Sequence, residues 1–292
     1  MIHDVTEIGL SRVQAFLEKY IETSLFLLSN LAEIGYCLTD HLNSGNYKYT
    51  EVNGEIESVF CLTRRGNLLA QTGGRADLAE TILRACETEP ISIQGVVGEW
   101  TIADAIWKTF CANPRFNPTY TSHEALFSME IASANAPTFE TKGVRALVPN
   151  DFDEWVKPNT DYLVEEGLPV QGTIAERKAQ FVDQTKAGYW WGAFDNKQLV
   201  ATAALNAIYG TIGQVGGVYT VPEKRRRGLA RSAMLLLLND SKNRHHLKKI
   251  ILFTGEQNFA ATKLYESLGF TAIGHFGLLF GKWKDELGND HT

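Results

Sequence analysis

Apolar and polar residues alternate in regular patterns along most of this chain of 292 residues. Residues 5–20 and 21–34 place apolar side chains at helical spacing and therefore predict two amphipathic helices. Short runs of β-branched and aromatic residues follow, and Asn53-Gly54 between two of these runs is a strong hairpin signal. Further helical and strand patterns lead to a long strand over residues 121–131, so the first half predicts the order ααβββαβαβ.

The pattern restarts at Gly143, after a small, polar segment over residues 132–138 that is broken by proline. Such a segment is typical of a linker. The second half predicts the order βααβββαβαβ, which contains the order of the first half. Since the chain also exceeds the usual size of one domain, we predict domains over residues 1–132 and 142–292, joined by a linker over 133–141.

Composition and charge exclude several classes of protein. The hydrophobic fraction of 44% and the charged fraction of 21% are ordinary for a globular protein. The formal net charge of −6 argues against a general nucleic-acid binder, because no broad basic excess is present to neutralise phosphates. The basic run over residues 224–227 is a local exception that suits one polyphosphate ligand.

The cysteines and the N-terminus favour a cytoplasmic protein. Cys37, Cys61, Cys86 and Cys111 are widely separated, so we expect buried free thiols in a reducing compartment. Neither they nor the dispersed histidines have metal-ligand spacing, and we expect no metal site. The start of the chain has no signal-peptide pattern, and the apolar run over residues 25–28 is too short to span a membrane.

A strand, a basic turn and a helix over residues 214–239 organise the second half. The strand ends at Pro222, a basic turn containing Gly228 follows, and an apolar helix comes next. The first N–H groups of a helix have no partner inside it, so this turn predicts an anion-binding site. Gly228 has no side chain, so a phosphate could approach the backbone there. The alternative is a surface turn whose arginines are only solvated.

The elements that follow complete an ordered set of motifs. A second strand over residues 249–254 precedes a helix that starts after Asn258 and stops at Gly269. The set is Arg225-x-x-Gly228-x-Ala230, Asn258-x-x-Ala261-x-x-x-Tyr265 and Gly269-Phe270. In this combination and order it resembles the GNAT superfamily of acyl-CoA-dependent N-acyltransferases.

The resemblance covers about residues 142–283 and implies a fold and an activity. The fold is the GNAT fold, an α/β protein of the α+β mixed-sheet type, and the matching element order of the two halves implies two tandem GNAT-like domains. The activity is transfer of an acyl group, with acetyl expected, from acetyl-CoA to a primary amine of a small molecule or peptide. Acyl-CoA and an amine are then the partners, with no nucleic acid, no membrane and no metal, and a homodimer among the candidate assemblies.

The resemblance also implies which residues bind the cofactor. The pantetheine arm would pair with the open edge of the central strand, and the pyrophosphate would lie on the amides at the helix start. A backbone N–H near Tyr219 or Thr220 would polarise the thioester carbonyl. The expected cofactor-binding residues are Val218, Tyr219, Thr220, Arg225, Arg226, Arg227, Gly228, Leu229, Ala230, Arg231 and Asn258.

Tyr265 and Glu256 are the candidate catalytic residues. Tyr265 matches the position that protonates the leaving thiolate in the superfamily, although it could instead be a core aromatic, as Asn258 could be only a helix cap. The central strand offers Gln214 and Tyr219 but no carboxylate, so Glu256 is the nearest plausible general base. The alternatives are an exposed loop glutamate without a role, a water relay, or an amine that is already neutral.

The first half lacks the phosphate-binding turn. Its corresponding segment over residues 72–77 does not have the spacing of the basic turn, and Asp77 stands where it would repel a phosphate. We therefore predict a degenerate GNAT-like domain that does not bind coenzyme A. An unrelated α+β domain with a similar element order is the alternative.

Two other functions fit the sequence. The missing carboxylate base and the added first half also suit a non-catalytic CoA-binding sensor or scaffold. The aromatic strand from Tyr189 to Trp191 could line an acceptor pocket and favours transfer of a longer acyl group, although adjacent strand residues alternate faces, so at least one should pack into the core.

Overall fold

The computed structural model describes residues 1–131 and 143–284, and the predicted linker over 133–141 lies outside the described residues. The chain forms two compact units. The first unit consists of Met1–Leu126, Thr254–Gln257 and the described residues from Ile273 onward, and the second consists of Phe127–Phe253 and Asn258–Ala272. The first unit thus includes C-terminal residues that the sequence analysis assigned to the second domain; the domain boundaries themselves stay a prediction.

The helices and strands follow the predicted order in both halves. In chain order they are β1 (Ile2–Asp4), α1 (Glu7–Glu18), α2 (Ile21–Glu33), β2 (Gly45–Val52), β3 (Glu55–Thr63), β4 (Asn67–Gln71), α3 (Ala79–Cys86), β5 (Gly95–Glu99), α4 (Trp100–Cys111), β6 (Phe116–Glu130), β7 (Val144–Ala146), α5 (Phe152–Glu165), α6 (Ile174–Ala187), β8 (Trp190–Asp195), β9 (Gln198–Tyr209), β10 (Ile212–Thr220), α7 (Leu229–Asn243), β11 (Lys249–Gly255), α8 (Phe259–Leu268) and β12 (Thr271–Trp283). The short strand β1 was not predicted. None of the helices in the described parts of the chain is long and apolar enough to cross a membrane.

The first unit is a mixed sheet covered by helices. Its strands follow the order β1-β2-β3-β4-β5-β12-β6. The β4–β5 pair is parallel and the β1–β2, β2–β3, β3–β4 and β5–β12 pairs are antiparallel. The predicted hairpin turn joins β2 to β3, and its residues Asn53 and Gly54 have φ values of 52° and 85°, as a type I′ turn requires. Leu68, Ile82 and Ile106 lie in the core between this sheet and helices α3 and α4.

The second unit is also a mixed sheet with helices. Its strands follow the order β11-β10-β9-β8-β7, in which only the β10–β11 pair is parallel. The predicted capping box of α6 is present: the Thr173 hydroxyl accepts from the Glu176 N–H at 3.3 Å, and the Glu176 carboxylate accepts from the Thr173 N–H at 2.7 Å. The mixed α/β sheet in each unit confirms the predicted fold class.

Two buried tryptophans fix β8 in the core of the second unit. The Trp190 indole donates to the Gln184 side chain at 2.7 Å, and the Trp191 indole donates to Asp240 at 2.8 Å. Both side chains are buried, and they bond to different helices, α6 and α7. These tryptophans are therefore core residues, which removes the support for an acceptor pocket lined by them.

The cysteines only partly match the expectation of buried thiols. Cys61 and Cys86 are buried, whereas Cys37 and Cys111 are exposed, so the expectation is wrong for the latter two. Burial raises the pKa of the Cys86 thiol to about 12, and it raises the pKa of Cys61 as well. The buried thiols therefore stay protonated and behave as small apolar groups.

An ion pair holds the chain where it enters α5. Arg145 donates two hydrogen bonds to the Asp151 carboxylate, at 2.6 and 2.7 Å, and the Val148 N–H donates a third at 2.8 Å. Burial opposes ionisation, but the hydrogen bonds from Arg145 and Val148 outweigh it, so the pKa of Asp151 lies below its ordinary value of 3.8. Because the folded pKa is depressed, the stabilisation is complete above the unfolded value and is lost as the pH falls through the folded pKa.

We expect Asp151→Asn to lower the free energy of unfolding by about 1 to 2 kcal/mol at pH 7, since the substitution removes hydrogen bonds to a charged group. The difference from the wild type should shrink as the pH falls below 3.8. Urea denaturation at pH 7, 5 and 3 measures both effects. Asp153→Asn, at an exposed position on the first turn of α5, is the matched control. A loss of stability that is equal at every pH would contradict the assignment.

Candidate functional site

The parallel pairing between β10 and β11 ends partway along β10. Its register runs from Ile212↔Lys249 to Val215↔Leu252. On the other side, β10 stays paired with β9 as far as Thr220↔Ala201, with irregularities on both sides of Val215. Gly217 lies within the second irregularity and has a left-handed φ of 58°. Beyond Val215, β10 is therefore still paired with β9 on one side but no longer with β11 on the other side.

Backbone hydrogen bonds show which groups of β10 face the unpaired side. The Val221 N–H donates to the Val200 carbonyl of β9 at 3.0 Å. Because successive N–H groups of an antiparallel strand alternate sides, Thr220 directs its N–H and carbonyl away from β9, and Tyr219 directs its own towards β9. The Thr220 carbonyl accepts from Arg225 Nε at 3.0 Å, which agrees with this direction. Of the two predicted carbonyl-polarising groups, the geometry therefore favours the N–H of Thr220.

The N-terminus of α7 is open. Gly228 is the N-cap residue with a φ of 76°, and no side chain of the described residues caps the helix there. A Cβ atom added at Gly228 would have no heavy atom of the described chain within 4 Å. The Leu229, Ala230 and Arg231 amides belong to the first turn, whose N–H groups have no partner inside the helix. The helix dipole adds to these donors, so the segment can bind an anion through the main chain.

Most basic side chains of the turn are paired with carboxylates. Arg225 donates to both oxygens of Glu165, at 2.7 and 2.5 Å. Asp195 accepts from Lys224 at 3.0 Å and from Arg227 at 3.1 Å. These two partners hold the pKa of Asp195 below its ordinary value, so the pairs persist at neutral pH. Glu165 and Asp195 were not predicted as partners of the turn, because they lie about 60 and 30 positions before it and carry no local signal.

Arg226 differs from its neighbours. It is exposed, has a left-handed φ of 61°, and makes no ion pair with any residue between 1 and 131 or between 143 and 284. Its charge is therefore available to an anion. The backbone conformation at Arg226 tolerates asparagine better than most side chains.

Asn258 and Tyr265 lie on α8. The Asn258 side-chain oxygen accepts from the Ala261 N–H at 3.2 Å, so Asn258 is the N-cap of this helix. Tyr265 is 5% exposed. Its ring lies 6.2 Å from the Phe127 ring and 6.0 Å from the Phe270 ring, between centroids. Tyr265 is thus part of an aromatic cluster of the second unit, and its role as a proton donor stays a prediction.

A hydrogen bond connects α8 to the open helix end. Arg231, in the first turn of α7, donates to the Ser267 hydroxyl at 2.6 Å. Ser267 lies near the C-terminus of α8, two residues after Tyr265. The structure therefore brings the first turn of α7 and the last turn of α8 together. Gln214, the polar residue of β10 that the sequence offered for chemistry, is 1% exposed and lies in the core.

Glu256 lies in the first unit beside two histidines. Its carboxylate oxygens are 3.3 Å from His123 Nδ1 and 3.2 Å from His275 Nδ1. These residues form a group that could hold a metal ion, in which two histidines that are far apart in the sequence meet. The expectation of no metal site stays a prediction. The group could not be predicted from the sequence, because its members lie on β6, directly after β11, and on β12. The role of Glu256 as a general base stays a prediction.

The corresponding turn of the first unit differs in its space, its amides and its charge. A Cβ atom added at Gly73 would lie 2.7 Å from the Tyr20 hydroxyl, whereas one added at Gly74 would have no heavy atom of the described chain within 4 Å. The Gly73 and Arg75 N–H groups donate to the Gln71 and Thr72 side chains, at 2.7 and 3.0 Å. Arg75 forms ion pairs with Asp77, in the single turn of 3-10 helix that precedes α3, and with Glu57. Side chains therefore already occupy amides of this turn, and the Asp77 carboxylate would repel an anion there.

Comparisons with known proteins agree with this geometry. Residues 151–270 match the profile of the Acetyltransferase (GNAT) family. A segment of 65 residues, 21% of this chain, is 45% identical to a mycothiol acetyltransferase of Thermobispora bispora. That segment covers 22% of the length of this curated relative.

Solved structures match nearly the whole chain. A Drosophila melanogaster protein is 14% identical with a TM-score of 0.69, over 97% of this chain and 99% of its own. A tandem GNAT protein from the clavulanic acid biosynthesis pathway is 10% identical with a TM-score of 0.57, over 97% of this chain and 98% of its own. At these identities the likeness shows the fold, which includes the tandem arrangement.

We expect Arg226→Asn to weaken the binding of coenzyme A about three- to tenfold, because the substitution removes the unpaired charge at the open helix end. Asparagine tolerates the left-handed φ at this position, so the backbone of the turn should stay unchanged. Arg227→Gln is the matched control, since Arg227 is already paired with Asp195 and its loss should matter less. Isothermal titration calorimetry at two salt concentrations measures both variants. Weaker binding by Arg227→Gln than by Arg226→Asn would refute this ranking.

Proposed function

We propose that the protein is an N-acetyltransferase, since residues 151–270 match the Acetyltransferase (GNAT) family. It transfers an acetyl group from acetyl-CoA to a primary amine of a small molecule or peptide. The family supports acyl transfer from acetyl-CoA in general, and the Thermobispora bispora relative is a mycothiol acetyltransferase. The choice of an amine as acceptor is our own inference.

The observation that carries this proposal is the open N-terminus of α7. Its first-turn amides face space beside Gly228 that no described side chain fills, and an uncapped helix end of this kind suits a pyrophosphate. We assign the pyrophosphate to the amides from Arg226 to Arg231, with Arg226 as the available charge. The main chain supplies these donors without a conformational change, so little free energy is lost to ordering them.

The free edge of β10 suits the rest of the cofactor. The pantetheine arm carries amide groups that can pair with a strand edge, and β10 has such an edge beyond Val215. Thr220, whose N–H and carbonyl point away from β9, is the proposed main-chain partner along this edge, together with Val218 two residues before it. Tyr219 directs its N–H and carbonyl towards β9, so it would contact the cofactor only through its side chain. Within it, the N–H of Thr220 is the proposed donor to the thioester carbonyl oxygen, because it points away from β9.

The proposed reaction is a direct attack on the thioester. The neutral amine nitrogen bonds to the carbonyl carbon, and the carbonyl electron pair moves to the oxygen, which accepts a hydrogen bond from the Thr220 N–H. When this tetrahedral intermediate collapses, the carbon–sulfur bond breaks and its electron pair leaves with the sulfur of coenzyme A. Tyr265 is the proposed donor of the proton to that sulfur. Glu256 is the proposed acceptor of the amine proton.

We expect Thr220→Pro to lower kcat about 100- to 1000-fold, since proline has no N–H to stabilise the oxyanion. The protein should still fold, because the Thr220 N–H is not part of the β9 ladder. Thr220→Val, which keeps the N–H, is the matched control and should retain most of the activity. Coenzyme A release measured with acetyl-CoA and a panel of amines reports the effect. Equal activity of the proline and valine variants would exclude Thr220 from this role.

We expect Tyr265→Phe to lower kcat about 100-fold or more with little change in the KM for acetyl-CoA, since loss of a general acid affects the chemical step. Tyr49→Phe, in β2 of the first unit, is the control for loss of a phenol elsewhere. An unchanged kcat would remove Tyr265 from catalysis. Tight coenzyme A binding by the wild type without turnover of any amine would instead favour the CoA-binding sensor or scaffold.

A further inference from the structure

Three side chains from distant parts of the sequence meet in the first unit. His123 lies on β6, Glu256 directly follows β11, and His275 lies on β12. Their ligand atoms all lie within 4.8 Å of one another. We propose that His123, Glu256 and His275 bind a Zn²⁺ ion. Glu256 is also the proposed general base, and a carboxylate bound to Zn²⁺ cannot accept a proton at the same time, so a bound ion would leave the amine proton to a water relay or to an amine that is already neutral. The test below measures metal binding alone, so its failure is distinguishable from failure of the proposed function.

The distances fit a tetrahedral ion. Zn–N and Zn–O bonds of about 2.0 to 2.2 Å at tetrahedral angles place neighbouring ligand atoms about 3.3 Å apart. Glu256 Oε2 is 3.3 Å from His123 Nδ1, and Glu256 Oε1 is 3.2 Å from His275 Nδ1, so each oxygen has one imidazole at the tetrahedral spacing. The two imidazole rings lie 4.6 Å apart between centroids. The half-exposed side chain of His275 can rotate to close the remaining separation.

The surrounding residues hold two of the three ligands in place. The Trp100 ring stacks on the His123 ring with 3.9 Å between centroids. The Glu256 N–H donates to the His123 carbonyl at 3.4 Å. The third ligand, His275, directly precedes Phe276 on β12, and Phe276 pairs with Glu99 of β5. Because Glu99 directly precedes Trp100, this pairing fixes the backbone of His275 near Trp100. An ion would therefore bind ligands that are largely preorganised.

The types of ligand select the ion. Two imidazoles and one carboxylate are a set that Zn²⁺ uses with a fourth position open to water. Imidazole nitrogen is a poor ligand for Mg²⁺ and Ca²⁺, which prefer oxygen. The side chains of His123, Glu256 and His275 are 33%, 45% and 50% exposed, so an ion can enter from solvent. A bound ion would link three segments that are far apart in the chain, and it should stabilise the first unit by mass action.

The test uses the full-length protein and Zn²⁺ titrated by calorimetry, with Co²⁺ as a spectroscopic probe. We expect one ion per chain in the wild type, visible absorption bands of tetrahedral Co²⁺ without a thiolate charge-transfer band, and a rise in Tm on adding Zn²⁺. His275→Gln and Glu256→Gln should each weaken Zn²⁺ binding tenfold or more and abolish the rise in Tm. His246→Asn, at an exposed histidine whose φ of 54° asparagine tolerates, should bind as the wild type does.

Three results would overturn the proposal. The first is no binding of Zn²⁺ by the wild type. The second is equal binding by the wild type and His275→Gln. The third is a thiolate band, which would assign the ion to the exposed Cys37 or Cys111 instead. The Tm of each variant without metal checks that the fold is intact, so a loss of binding cannot be mistaken for unfolding.

Discussion

The early end of the β10–β11 pairing is the constraint on which the second unit depends. Within a sheet, each strand normally satisfies its backbone groups with two neighbours. Here β10 stays hydrogen-bonded to β9, but its pairing with β11 ends at Val215. The irregular pairing with β9 around Gly216 and Gly217 allows β10 to diverge from β11. Main-chain groups of β10 are thereby free for a ligand, and the strand leads directly into the turn that starts α7. One local break in a sheet thus provides both a pairing edge and the approach to an anion site.

The electrostatics of the turn are more balanced than its sequence suggests. Four consecutive basic residues would repel one another, and the carboxylates of Glu165 and Asp195 pair with three of them and neutralise half of the positive charge. These pairs are half-exposed, so each adds little stability by itself. Their effect is to fix the turn in one conformation, with the main-chain amides pointing outward. Binding of a phosphate would then depend on geometry and the helix dipole more than on the number of arginines.

The two units differ at the glycine-containing turn that precedes a helix. Both have a mixed sheet and a helix that follows a glycine-containing turn. In the second unit the space over Gly228 is open, whereas in the first unit Tyr20 fills the space over Gly73. Arg75 of the first unit is held by Asp77 and Glu57, so no free charge replaces Arg226. These differences support a first unit that does not bind coenzyme A at this turn, and they require only a few side chains.

The amino-acid sequence was sufficient to predict the order of the helices and strands and the motif from Arg225 to Phe270. The periodicity of apolar residues, the Asn53-Gly54 turn and the Thr173–Glu176 capping box act over a few residues, so they are readable locally and the structure confirms them. The uncapped helix start that we propose as the anion site could be predicted for the same reason, because its amides belong to the first turn of one helix. Contacts between distant segments could be seen only in the folded structure. They are the pairing of carboxylates with the basic turn, the aromatic surroundings of Tyr265, the burial of Trp190 and Trp191, and the cluster of His123, Glu256 and His275. Such contacts depend on how strands are ordered in a sheet, and the local pattern of a sequence does not contain that order.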